Sequence, residues 1–311
     1  MTAAPEATAG ASGGQRLLSA ACAWIRFALP GLLLPSFLFI LPLCGCAYAA
    51  KVAWCAYLSV QVLYLLVIEW CRRDRALSPT ETVEMGAPEA EKCAILVHGF
   101  ADTPLAWQRE AEALAARGWR VIVPEINLSA ASDAWLSTIH AAILRAKRSA
   151  DHVELWGHSM GGALCLVAAQ REAVARLVLW APFLEPYMGG FCSRLLYGLH
   201  RVCFLWPFTL TWFPVNRHGK GDPETFYRVR RVIPTRTFAS ALAVPEKLAL
   251  QPPACPITLL LSQRDTVVRN APVLRRYPQA RVLWAENPRS SHALTNAVDW
   301  KINLERLLDE T

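Results

Sequence analysis

Formal charge is scarce in this sequence. Asp, Glu, Lys and Arg make up 18% of its 311 residues, and between Phe27 and Ile68 the only charged side chain is Lys51. Hydrophobic residues reach 54%, and that excess sits at the front, because the chain after Arg72 has an ordinary polar balance. Lys/Arg runs of the nucleic-acid-binding type are also missing, despite a formal net charge of +7, so nucleic acid is not an expected partner. The ten cysteines form no CxxC pair and no Cys/His cluster at zinc-ligand spacing. Five of them (Cys22, Cys44, Cys46, Cys55 and Cys71) fall in or beside the apolar front. The others are scattered, several within apolar runs, which fits reduced, buried thiols in a cytosolic compartment.

Residues 1–15 are rich in Ala, Gly, Ser and Thr without a core-forming pattern, and a disordered tail is expected over 1–23. The stretch Trp24–Trp70 is close to the two spans of roughly 20 residues that a bilayer requires. A first helix near Trp24–Leu43, interrupted by Pro30, Pro35 and Pro42, a turn around Gly45 and a second helix near Tyr48–Trp70 make a transmembrane hairpin over 24–70. Arg16, Arg26, Arg72, Arg73 and Arg75 lie on one side of it and Lys51 on the other. The positive-inside rule then puts both termini and everything downstream in the cytoplasm. Membrane lipids are expected partners, and the basic residues between Arg194 and Arg236 suit an anionic surface or are simply solvated. A signal-peptidase site at Ala47-Tyr48-Ala49 and a lipoprotein-like Leu43-Cys44-Gly45-Cys46 are alternatives, which the second apolar segment disfavours.

After a linker over 71–91, strand and helix signals alternate. Nearly continuous apolar runs at Cys93–Val97, Arg120–Val123, Val153–Trp156, Ala175–Trp180, Ile257–Leu261 and Arg281–Trp284 read as strands covered on both faces. Between them lie amphipathic helices. Trp107, Ala111, Leu114 and Ala115 fall on one stripe with Gly118 placed to end it. Trp135, Ile139, Ala142 and Ile143 make a second stripe with Ser132 as candidate N-cap, and Trp300, Leu304, Leu307 and Leu308 a third. The alternation predicts a mostly parallel sheet with helices on both faces. It lapses over about 183–253, where no clear strand is legible and an inserted cap is expected.

Four segments carry chemistry. Gly157-His158-Ser159-Met160-Gly161-Gly162 follows an expected strand and opens a helix. A serine hydroxyl is a weak nucleophile, and a tight strand-to-helix turn exposes it, with the Met160 amide aimed at a forming oxyanion. GxSxG alone is only moderately specific. Leu96-Val97-His98-Gly99-Phe100 ends the first strong strand and puts the Phe100 amide in place as a second oxyanion donor, with His98 in a structural role beneath the loop. Asp265 lies just beyond a strand, where a carboxylate orients a histidine or caps a turn. Of seven histidines, His292 alone follows the last strand and precedes the terminal helix, the place for a general base. The chain order Ser159, Asp265, His292 belongs to one particular fold.

These residues resemble the α/β-hydrolase superfamily, and within it the bacterial carboxylesterase and monoacylglycerol lipase branch. His98-Gly99-Phe100-Ala101-Asp102-Thr103-Pro104 is similar to that branch's HGFTGTP loop, Gly157–Gly162 to its GLSMGG elbow, and Ser291-His292-Ala293-Leu294-Thr295 to its SGHxIT segment. The resemblance covers roughly 91–309. It implies Ser159 as nucleophile, Asp265 as orienting acid, His292 as base, and Phe100 and Met160 as oxyanion hole. Pro124-Glu125-Ile126-Asn127-Leu128-Ser129 departs from the Pro-Gly-His-Gly loop common in that branch, and Ser291 replaces its glycine.

The expectation is therefore an α/β-hydrolase fold over 92–311 with a cap over about 183–253, tethered by an N-terminal transmembrane hairpin. It cleaves carboxylic esters through an acyl-enzyme without metal or organic cofactor. Aromatic runs at Phe204-Leu205-Trp206-Pro207-Phe208 and Trp212-Phe213-Pro214, together with the anchor, suit a lipid-like ester such as a monoacylglycerol, or simply pack the cap. An acyltransferase or thioesterase would use the same three residues, and an inactive membrane scaffold could keep the fold.

Overall fold

The computed structural model describes residues 81–187 except 101 and 129, positions 189, 191 and 210–212, residues 232–309, and four helical positions between 52 and 59. The tail over 1–23 and, those four positions apart, the hairpin over 24–70 lie outside the described residues. No helix among the described residues is long and apolar enough to cross a membrane.

Nine strands are described. Seven of them, β1 (Val83–Met85), β2 (Lys92–Val97), β3 (Arg120–Val123), β4 (His152–His158), β5 (Arg176–Trp180), β8 (Ile257–Leu261) and β9 (Arg281–Trp284), form one sheet in the order β1-β3-β2-β4-β5-β8-β9. All neighbours are parallel except β1 against β3. The two remaining strands, β6 (Leu210–Trp212) and β7 (Val232–Pro234), pair with each other.

Side-chain alternation explains why β2, a central strand, is apolar from Cys93 to Val97. Cys93, Ile95 and Val97 of β2 enter one buried cluster, and Ala94 and Leu96 enter another, because successive side chains of a strand point to opposite faces. The first cluster is closed by α2 (Ser132–Ala146), through Trp135, Ile139 and Ile143, and by α3 (Met160–Ala169), through Leu164 and Val167. The second is closed by α1 (Gln108–Ala115), through Ala111 and Leu114, and by α5 (Trp300–Leu308), through Leu304 and Leu307. A fully buried leucine contributes about 2–3 kcal/mol, and three of these four helices are held by the stripes legible in the sequence.

Three expectations need correction. Ser132 is not an N-cap: Ala131 holds that position, and no side chain caps the helix. The Trp135 indole instead donates to the Asn127 carbonyl at 2.8 Å and fixes the first turn. The linker expected over 71–91 contains β1, whose Val83 and Met85 pack on the core while Glu84 is exposed and meets Arg120 at 3.3 Å. The cap region, where no strand was legible, holds β6 and β7, each three residues long and too short for alternation to register. It also holds α4 (Thr235–Ala243), whose Thr237 hydroxyl donates to the Leu128 carbonyl at 2.5 Å.

The strand order fixes where a site can form. From β2 the chain crosses to β3 on one side and then to β4 on the other. Connections leaving β2 and β4 diverge there and open a crevice at the carboxyl ends of both strands.

Candidate active site

The loops at that crevice carry the chemistry-bearing residues. Ser159 stands between β4 and α3 with φ 53° and ψ −118°, a left-handed conformation that costs a non-glycine residue about 1–3 kcal/mol. Three hydrogen bonds hold it. The Ser159 N–H donates to the Trp180 carbonyl at 2.9 Å, and the Ser159 carbonyl accepts from Phe183 at 2.9 Å and Ala163 at 3.2 Å. Glycines make the turn sterically possible. A Cβ on Gly161 would lie 2.2 Å from the Val97 carbonyl oxygen, and one on Gly157 would lie 2.6 Å from that of Gly161. Both obstacles are backbone, so a side chain at either position has no room to be accommodated.

His292 comes from the loop after β9, and Asp265 from the loop after β8. The His292 Nε2 lies 2.7 Å from the Ser159 Oγ, and its Nδ1 lies 2.8 Å from the Asp265 Oδ2. Asp265 Oδ1 accepts the N–H groups of Val267 and Val268, both at 2.8 Å. With Asp265 acting as acceptor, His292 carries its proton on Nδ1 and turns the Nε2 lone pair toward the serine hydroxyl. All three residues are buried. Burial pushes the Asp265 carboxyl up, but the adjacent His292 ring and the two amide donors outweigh it and hold the group below the ordinary carboxylate range.

The base loop is braced by residues the sequence did not single out. Asp299 accepts from the Ser290 hydroxyl at 2.9 Å, the Asn287 N–H at 2.7 Å and the Asn303 side-chain amide at 2.9 Å. These three donors hold its carboxyl low against the cost of burial. Ser262 spans the two loops, its hydroxyl donating to the Ser290 carbonyl at 2.5 Å. Aspartate immediately before an apolar helical stripe was a signal in plain view, but nothing local said that Asp299 would serve the loop behind it.

Sequence reasoning brought Ser159, Asp265 and His292 to one point, and the structure joins them. Phe100 follows the end of β2, and Met160 opens α3, where a helix's first N–H groups lack intrahelical partners. His98 is fully buried under the loop, with Nδ1 3.0 Å from the Gly99 carbonyl and Nε2 accepting the Ile126 N–H at 3.2 Å. Those contacts agree with a structural role. The aromatic run 204–208, with 213 and 214, lies outside the described residues. Among the described residues no group of three or more His, Cys, Asp or Glu side chains could hold a metal. Cys93 and Cys165 are free and buried. Burial raises both thiols, Cys93 to about 11.

Comparison with known proteins is consistent with this geometry. The family model described as alpha/beta hydrolase fold matches residues 95–282. Among solved structures, that from work on LipS and LipT, two metagenome-derived lipolytic enzymes, is 23% identical with a TM-score of 0.58, covering 74% of this chain and 96% of that one. The monoacylglycerol lipase of Paleococcus ferrophilus is 16% identical with a TM-score of 0.59 over the same shares. A soluble variant of monoglyceride lipase from Saccharomyces cerevisiae is 12% identical with a TM-score of 0.57, covering 74% and 90%. At these identities the likeness is one of fold. No curated protein matches the chain.

Proposed function

The chain belongs to the alpha/beta hydrolase fold family, and from that premise we propose that it is a serine hydrolase cleaving carboxylic esters. The observation that carries this reading is the continuous hydrogen-bonded line from Asp265 through His292 to Ser159, at 2.8 and 2.7 Å. In the proposed reaction the Ser159 Oγ attacks the ester carbonyl while the His292 Nε2 takes its proton. Asp265 keeps the imidazole in the productive tautomer and stabilises the imidazolium that forms. The N–H groups of Phe100 and Met160 receive the oxyanion. His292 returns the proton to the leaving alcohol, then activates the water that hydrolyses the acyl-enzyme.

The substrate we propose is a lipid-like ester, a monoacylglycerol or similar. Support comes from the apolar segment Trp24–Trp70, the aromatic sequence at 204–208, and the similarity of fold to proteins named as lipases. The same segment would anchor the enzyme to a membrane with the hydrolase domain in the cytoplasm. Hydrolysis of p-nitrophenyl esters from acetate to decanoate, and of a monoacylglycerol in mixed micelles, by the detergent-solubilised full chain tests the substrate class. Preference for medium or long chains, lost in Ser159→Ala, is the expected result, and a strict preference for acetate would refute the lipid assignment. Reporter fusions at Thr311 test topology, and a reporter active only outside the cytoplasm would overturn it.

A further inference from the structure

The elbow histidine is absent from the reaction just described, yet it is better connected than a filler residue. His158 ends β4, is 4% exposed, and packs its ring 5.1 Å from that of His292. Its Nε2 donates to the backbone carbonyl of His292 at 2.9 Å. Its Nδ1 faces the Asp102 Oδ2 at 3.4 Å, within ion-pair range, and makes no hydrogen bond. The same Asp102 oxygen accepts the Gly99 N–H at 3.1 Å, one residue before Phe100. Asp102 occupies the position at which the HGFTGTP loop carries glycine, so the carboxylate is a departure of this chain.

Both ring nitrogens of His158 therefore face oxygen acceptors. A neutral imidazole has one donor and one acceptor nitrogen, and in that form one face would set a lone pair against a carboxylate. Only the doubly protonated ring presents an N–H to both acceptors. Burial works against the second proton. Asp102 beside the ring, the His292 carbonyl and the more distant Asp265 outweigh it and raise the group above the ordinary histidine value.

We propose that Asp102 and His158 are a positioning pair, an imidazolium strap that ties the loop carrying Phe100 to the loop carrying His292. Neither touches substrate. The strap sets the separation between the oxyanion donor and the base, a geometry in which small errors are costly. It is complete while His158 holds two protons and comes apart as pH rises through its raised value, because the neutral ring keeps the carbonyl contact and loses Asp102. The groups whose charge or ring faces His158 are Asp102 from the β2 loop, Asp265 from the β8 loop and His292 from the β9 loop.

This inference rests on the serine-hydrolase reading, and its test separates the two. Full-length wild type, Asp102→Asn and His158→Gln are compared for p-nitrophenyl butyrate hydrolysis and for fluorophosphonate inactivation from about pH 6 to 10, with melting temperature recorded for each. Asparagine keeps an acceptor for the Gly99 N–H, and glutamine keeps a donor toward the His292 carbonyl. In wild type kcat is expected to fall severalfold on the alkaline side. Both variants should lose that alkaline limb and about tenfold in kcat at neutral pH, with KM changed less than about twofold. An alkaline limb that persists in both variants, or variants that melt lower but keep wild-type kcat, would overturn the strap and leave the hydrolase reading intact. Wild type inert to both reagents would instead remove the reading beneath it.

Discussion

Asp265→Asn is the substitution whose consequence the geometry defines most tightly. The asparagine is the same shape, so packing is kept, but its two terminal atoms are no longer equivalent. The Oδ1 position receives N–H groups from Val267 and Val268, both at 2.8 Å. An amide NH2 placed there would meet two donors, so the amide oxygen is pinned at that end and the NH2 group must face His292. His292 must then accept at Nδ1 and carry its proton on Nε2, aimed at the Ser159 Oγ 2.7 Å away. The base arrives already protonated, and the charge that would stabilise the imidazolium is gone. Loss of this kind costs about 10³–10⁴ in kcat, or about 4–5.5 kcal/mol of transition-state stabilisation. Stopped-flow measurement of p-nitrophenol release would read it as a slowed acylation step with little change in KM. A variant within tenfold of wild type at neutral pH, with melting unchanged, would refute the assigned role of the carboxylate.

Further outcomes follow from the same contacts. Gly161→Ala drives a methyl into the Val97 carbonyl and should abolish soluble expression or lower the melting temperature by well over 10 °C, whereas an unchanged melt would mean that the elbow can open. Asp299→Ala leaves three donors without their acceptor and should cost about 3 kcal/mol in urea unfolding. The Asp265 and Asp299 carboxyls lie below their ordinary value, so their contribution is full above the ordinary carboxylate value of about 3.9 and lost as pH falls through the folded values. Wild type should therefore weaken as pH falls below about 4, and Asp299→Ala less steeply. Cys93 and Cys165 should resist iodoacetamide in native protein at pH 8 and react only on unfolding, read by peptide mass spectrometry.

The sheet was legible because its strands are covered on both faces. Runs such as Cys93–Val97 are apolar at every position, and only burial from two sides demands that. The three convergent residues were legible because each follows a strand in the order one fold imposes. What escaped was held by partners distant in sequence. β1 is three residues with one buried face, and its antiparallel pairing with β3 depends on a neighbour nearly 40 positions away. Asp102 is only one residue of a loop until His158, at the end of another strand, comes to within 3.4 Å. Asp299 reads as a helix start until Asn287 and Ser290 fold back onto it. Periodicity and spacing report an element's own faces, whereas the braces of this site join two or three elements at once.

The central claim is that Ser159 is an activated nucleophile, and covalent trapping tests it most directly. Full-length wild type and Ser159→Ala are treated with a fluorophosphonate in detergent, digested, and mapped by mass spectrometry. One phosphonylated site is expected, on the peptide containing Ser159, formed in wild type and absent from the variant. Modification at another residue, or none in protein that melts cooperatively, would contradict it.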